Sequence, residues 1–307
     1  MKKYKKVFYI IGFIIIVAGI LFIYRGKTNK EEIVIPDESV VPDENVVPEE
    51  IPIEEVPERT IVVCIDPGHY GGANEFYFQD GSSYCEGDTT LLIAIQLREI
   101  LKQQYGIESY LTRETEHITL GGYTDAELDR GHISLRGEMA AGSDLFISLH
   151  TNANNDKANG YPTLDQPVAI NKPILILNSV AREDEEILCT ANLIGRKLTQ
   201  MLAEGGLCTV EGFQENMDGT HLREWSEEYN DSINIEGTLC CRMADGQDYY
   251  GVLRGAADVG VPGIIVEHSF HTVSKVRECM ANENLIQKLA QADADAIAEG
   301  FNIRKKQ

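Results

Sequence analysis

No two of the seven cysteines stand at C-x-x-C spacing, so the zinc-knuckle pattern is absent, and an odd number cannot fully pair within one chain. Cationic side chains are few: 27 basic against 49 acidic residues leave a net charge of −22. Phosphate binding needs a basic stripe, which excludes nucleic acid as the main partner. The same imbalance argues against broad attraction to an anionic surface. What remains, 43% hydrophobic and 25% charged, is the composition of a globular chain rather than a disordered, collagen-like or polytopic membrane one. The 307 residues are enough for one large domain or two ordinary ones.

The charge is unevenly spread. Residues 1–30 carry seven basic and no acidic side chains, residues 31–58 carry eleven acidic and no basic ones, and −18 is left on 59–307. In the first segment Lys2, Lys3, Lys5 and Lys6 precede an uncharged stretch from Val7 to Tyr24. As a helix its length is roughly 27 Å, close to the ~30 Å hydrocarbon core of a bilayer. It is longer than a usual signal-peptide core and ends in bulky Leu21-Phe22-Ile23-Tyr24 rather than a small-residue cleavage site. The preferred reading is an uncleaved transmembrane signal anchor within 1–30, spanning about 7–24, with a cleaved signal peptide as the alternative. The lysines place its N-terminus in the cytoplasm and the rest of the chain outside the membrane. The second segment repeats Val/Ile-Pro-acidic units, as in Val41-Pro42-Asp43-Glu44 and Val47-Pro48-Glu49-Glu50. Proline and like charges keep such an acidic linker (31–58) extended, as a solvated spacer. In an extracytoplasmic location the cysteines (64, 85, 189, 208, 240, 241 and 279) are free to oxidise, but disulfides and buried thiols stay equally open.

From residue 59 apolar runs alternate with helical periodicity. Strands are expected at 61–65, 107–112, 145–149, 174–177 and 264–266, and helices at 89–104 (capped by Asp88 or Thr89), near 133–141, at 184–204 and at 283–300. This alternation implies a single α/β domain, 59–303, with a mixed, partly parallel sheet flanked by helices. Residues 205–250 show little periodicity. An irregular segment of that length is often functional, so a lid bordering the cleft is expected there.

Three of the strands end in polar residues: Asp66-Pro67-Gly68-His69, Ser148-Leu149-His150 and Val266-Glu267-His268. Ligands of open α/β sheets bind at such carboxyl ends. Two imidazoles and a carboxylate there suit a catalytic zinc with an open position for water. A further carboxylate, Glu86, precedes the first helix. Each residue also has a plainer account: a turn or core histidine, a carboxylate favouring a helix N-terminus, or a surface ion pair.

Ile65-Asp66-Pro67-Gly68-His69 resembles the opening motif of the zinc-dependent N-acetylmuramoyl-L-alanine amidases of bacterial cell walls. The resemblance continues through Glu86-Gly87-Asp88-Thr89-Thr90-Leu91, Leu111-Thr112-Arg113, Leu135-Arg136, Asp144 to Ala153, Val252-Leu253-Arg254 and Pro262 to Phe270. In order, it covers about 61–301. It implies zinc held by His69, Glu86 and His150, Glu267 as general base, and peptidoglycan as substrate. The bond cleaved is then the amide between N-acetylmuramic acid and L-alanine. Arg254 is a candidate for a stem-peptide carboxylate or for a structural ion pair. His268 and His271 are candidates for orienting Glu267 or touching substrate. Tyr70 stands where the family has glycine, and Phe76, Tyr77, Phe78 and Tyr84 either stack on a sugar or fill a loop. The expected location is the cell membrane, single-pass, with the catalytic domain extracytoplasmic. Alternatives are a zinc peptidase acting on stem peptides and an inactive wall-binding module. No activating protein partner is indicated.

Overall fold

The computed structural model describes residues 60–77, 81, 83–153, 155–156, 161–162, 172–207, 223–224 and 239–306. Seven segments form one sheet: β1 (Val62–Pro67), β2 (Glu108–Leu111), β3 (Leu145–Asn152), β4 (Ile174–Leu177), β5 (Arg223–Glu224), β6 (Leu239–Cys241) and β7 (Gly263–Phe270). Their order across it is β5-β6-β4-β7-β3-β1-β2. All neighbouring pairs are parallel except β4 with β7. The sheet is therefore mixed and mostly parallel, as the strand–helix alternation requires.

The central strands are buried on both faces because helices cover both. On one face α1 (Glu86–Ile100), α3 (Glu185–Glu204), α5 (Ser274–Met280) and α6 (Glu283–Gly300) place Ile93, Leu97, Ile194, Leu198, Val276, Leu289 and Ile297 in one core with Ile65, Ile147, Leu149 and Val266. On the other, α4 (Gly251–Asp258) sets Val252, Leu253 and Ala256 against Cys64, Phe146 and Ile265, with α2 (Ser134–Glu138) packed on α4. Adjacent strand residues point to opposite faces, and this parity later separates Glu267 from His268.

Several element ends differ from the sequence-based expectation. β1 runs through Asp66 and Pro67 because side chains buried behind it hold Asp66 inside the sheet. α1 starts at Glu86 rather than near Thr89, with Cys85 in the extended cap position, so Glu86 lies in the helix's first turn. It continues as a wider turn over Leu101–Tyr105 and stops where Gly106 adopts a left-handed φ of 72°, a favourable conformation for glycine. The helix expected near 133–141 shortens to Ser134–Glu138. By contrast, Asp184 and Asn282 cap α3 and α6 with side-chain hydrogen bonds, where the sequence pattern begins them.

Among the described residues, no helix is long and apolar enough to cross a membrane. The stretch Val7–Tyr24, the acidic linker and most of the expected lid lie outside them, as do Phe78 and Cys208. Cysteines 64, 85, 189, 240, 241 and 279 are free thiols, with Cys64, Cys240 and Cys241 buried.

Candidate metal centre

Because β1, β3 and β7 are parallel neighbours, their carboxyl ends share one edge of the sheet. Glu267 stands in register with His150, so both side chains leave the same face. The chain leaves β1 through Gly68, where a Cβ would come within 2.5 Å of the His150 ring. Only glycine allows that approach. His69 follows with a φ of 60°, a left-handed conformation that costs a non-glycine residue about 1–3 kcal/mol.

Two buried arginines hold this strained turn. Arg136 donates from Nη1 to the His69 carbonyl at 2.6 Å, from Nη2 to the Pro67 carbonyl, and from Nε to Asp66 Oδ1 at 2.9 Å. Arg113 donates to the carbonyls of Pro67 (3.1 Å), Gly68 (3.1 Å) and Gly87 (2.6 Å), tying the turn to the start of α1. Asp66 also accepts from Ser148 Oγ and Thr112 Oγ1. Burial alone would raise the Asp66 pKa, but the Arg136 guanidinium and the two hydroxyls hold it below the usual carboxylate range. Its contribution to stability is thus present above the unfolded value of about 3.9 and is lost as pH falls through the lower folded value. Asp66→Asn, which leaves buried Arg136 only the more distant Asp129 carboxylate at 3.5 Å, is expected to cost about 3 kcal/mol at neutral pH. The gap from wild type should close below about pH 4. Urea midpoints at neutral and acid pH test this, and an equal gap at both would count against it.

On this support His69, Glu86 and His150 converge, one ligand-capable atom from each lying within 4.8 Å of the others. Glu86 Oε2 is 3.2 Å from His69 Nε2, and Oε1 is 3.0 Å from His150 Nδ1. The Glu86 carboxylate is buried and also accepts from the Thr151 amide at 2.9 Å and from Asn74 Nδ2. Burial opposes its ionisation, yet the two histidines hold its pKa well below the ordinary value. Burial would likewise depress His69, but Asp129 and Glu86 outweigh it and raise the pKa to about 10. The Asp129 carboxylate is 3.6 Å from His69 Nδ1. On the same edge, Glu267 has its pKa pushed up to about 8 by burial and by repulsion from Glu86, with His69 partly opposing. Its Oε2 is buried and has no hydrogen-bond partner among the described residues. Two imidazoles, one ionised carboxylate and an unpartnered carboxylate beside them fit a divalent zinc with its base.

A family model for N-acetylmuramoyl-L-alanine amidases matches residues 63–299. This chain belongs to that family. The amidases are hydrolases, and similar solved structures include Cwp6 from Clostridium difficile at 19% identity and a TM-score of 0.51. That match covers 78% of this chain and 29% of Cwp6, so this chain spans under a third of that protein's length. The catalytic domain of CwlV, an N-acetylmuramoyl-L-alanine amidase from Bacillus (Paenibacillus) polymyxa var. colistinus, is similar at 18% identity and a TM-score of 0.50. There the match covers 80% of this chain and 100% of the other. At these identities the structures show that the fold is shared. No curated sequence relative matches.

Two candidates for substrate contact, His268 and Arg254, are engaged by other protein groups. His268 is fully buried on the face opposite Glu267, as strand parity requires, with both ring nitrogens engaged by protein groups. Arg254 donates to the Asp248 carbonyl at 3.0 Å, and the Asp248 carboxylate accepts from Ser179. Ser179 follows β4, which runs antiparallel to β7, so this contact lies toward the edge where β7 begins. The structure does not bring Arg254 to the cluster. His271 is buried too, its ring packed by Phe76 (4.5 Å) and Tyr84 (5.0 Å) and its Nδ1 3.0 Å from Thr151 Oγ1. Phe76 and Tyr84 therefore fill the protein, whereas Tyr77 is exposed. Asn74 and Asp129 at the site were not expected from the sequence, and Thr151 was expected only as part of the His150 motif. Arg113 and Arg136 carry only the motif resemblance in the sequence, because both have polar residues close by and nothing local marks them as buried.

Proposed function

We propose that this chain hydrolyses the amide joining the lactyl group of N-acetylmuramic acid to L-alanine in peptidoglycan. The observation that carries this is the convergence of His69, Glu86 and His150 beside the unpartnered Glu267 carboxylate, in a chain of the amidase family. The three residues are the ones that would hold zinc. When bound, zinc polarises the scissile carbonyl and makes the attacking water acidic near neutral pH. Glu267 takes the proton from that water at Oε2 and returns it to the departing alanine nitrogen. Arg113 and Arg136 keep His69 aimed by fixing the carbonyls of its turn, and Gly68 leaves room for the His150 ring.

The organisation proposed around this site has a signal anchor in 1–30 (span about 7–24), the acidic linker 31–58 and a catalytic domain over 59–303. The uncharged stretch between two basic clusters supports the anchor, and the proline-acid repeats support the spacer. Peptidoglycan lies outside the cytoplasmic membrane, so such an anchor holds the domain on the substrate's side, single-pass and extracytoplasmic. With −18 on residues 59–307, attraction to an anionic wall polymer is unfavourable at long range, which makes recognition short-ranged within the cleft.

Mass spectrometry of wall digested by the membrane fraction of cells making the full chain tests both parts. Intact stem peptides with a free L-alanine amine are expected, and the activity should become soluble when residues 1–30 are removed. Shortened peptides would make the protein a peptidase, and no release would make it a binding module. Activity that stays soluble in the full chain would remove the anchor.

A further inference from the structure

His268 and Asp293 form a buried polar pair on an otherwise apolar face. Both are 0% exposed, among Val266, Leu289 and Ala290. His268 Nε2 is 2.8 Å from Asp293 Oδ2, and Nδ1 is 3.0 Å from the main-chain carbonyl of His150. Carboxylate and carbonyl oxygens accept, so each ring nitrogen serves as a donor. Packed hydrophobic residues would usually stabilise such a position at least as well as a buried ion pair. The location suggests why a polar pair stands here instead. β3 and β7 pair regularly up to Glu267 with His150, then the register shifts, and Phe270 pairs with Asn152. The ladder is thus irregular immediately beyond the two residues whose spacing matters most. At that point the His268 ring supplies a cross-strand hydrogen bond to the His150 carbonyl, and Asp293, near the middle of α6, fixes the ring.

We propose that His268 and Asp293 are positioning residues that brace the shifted β3–β7 register and so hold the His150 ligand and the Glu267 base at their working separation. Neither touches substrate or metal. The pair acts through the His150 backbone, and the inference rests on the roles given above to His150 and Glu267.

The test compares two double variants of the full chain that leave no unpaired charge: His268→Leu with Asp293→Asn, and His268→Asn with Asp293→Asn. The asparagine amide can stand where Nδ1 stands and keep the donor to the His150 carbonyl. Leucine fills the space but cannot donate. Zinc affinity by chelator competition, kcat and KM, and Tm are read for each. The leucine variant is expected to bind zinc 10- to 100-fold more weakly and to lose at least about tenfold in kcat with KM unchanged. The asparagine variant should recover most of both despite a Tm no higher than that of the leucine variant. Zinc affinity and kcat that follow Tm instead, or stay within about twofold of wild type, would overturn the proposal. So would failure of both variants to fold, which would make the pair merely structural. A wild-type chain that binds no zinc would sink the functional reading and this inference together, whereas the variant results bear on the inference alone.

Discussion

Glu267→Ala is expected to keep its zinc and its fold while losing about 10²- to 10⁴-fold in kcat, the usual worth of a positioned general base. Glu267 lies outside the His69, Glu86 and His150 set, so its removal takes away no metal donor. Its Oε2 is buried without a hydrogen-bond partner among the described residues, and burial together with Glu86 raises its pKa to about 8. A divalent cation held by Glu86 and the histidines would offset the repulsion from Glu86 and favour the ionised form, which a base needs to take a proton from water and pass it to a leaving amine. Such a buried, unpartnered carboxylate also costs folding free energy. Tm should therefore hold or rise in Glu267→Ala, in contrast to the loss expected for Asp66→Asn. Metal content, Tm and turnover on purified wall measure the three parts. Unchanged hydrolysis would remove Glu267 from the mechanism.

Metal removal should have the larger effect. Chelation is expected to reduce hydrolysis to background, and added zinc to restore it. His150→Ala should bind no stoichiometric zinc and should not recover. The metal-free protein should nevertheless unfold cooperatively, unlike a small zinc-dependent fold that collapses without its ion. Its sheet and two apolar layers do not depend on the site. The Glu86 charge is also satisfied within the protein by His69, His150, Asn74 and the Thr151 amide. Zinc at about a thousandfold above its dissociation constant adds about 4 kcal/mol by mass action. For a domain of this size that raises Tm by on the order of 10 °C. Calorimetry before and after chelation checks this. Full activity in metal-free protein, or the same Tm with and without zinc, would exclude the proposed metal role.

The main strands and the long helices were legible because their signals are local. Ile174–Leu177 and the alternating ends of β3 and β7 carry β-branched and apolar runs. α3 and α6 begin after Asp184 and Asn282, whose side chains cap them. His150 and Glu267 were legible because each follows such a run directly, and His69 because it ends the Asp66-Pro67-Gly68 turn that closes one; a parallel sheet brings those ends to one edge. The choice between Glu267 and His268 needed the register as well. Glu267 and His268 are adjacent in a strand, so only one of them can face the cleft, and parity with His150 identifies it as Glu267.

The sequence by itself determined a globular α/β domain, the acidic charge, the strand ends that carry the chemistry and the family they resemble. These follow from composition, from periods of two and near 3.6, and from short motifs, all properties of neighbouring residues. Only the tertiary structure decided that Arg113 and Arg136 grip the His69 turn, that Asn74 and Thr151 satisfy Glu86, and that Arg254 lies away from the cluster. It alone joined His268 to Asp293, 25 positions later, and to the His150 carbonyl, 118 positions earlier. Such partnerships depend on strand register and on how helices settle across a sheet, and no local pattern in the chain encodes either.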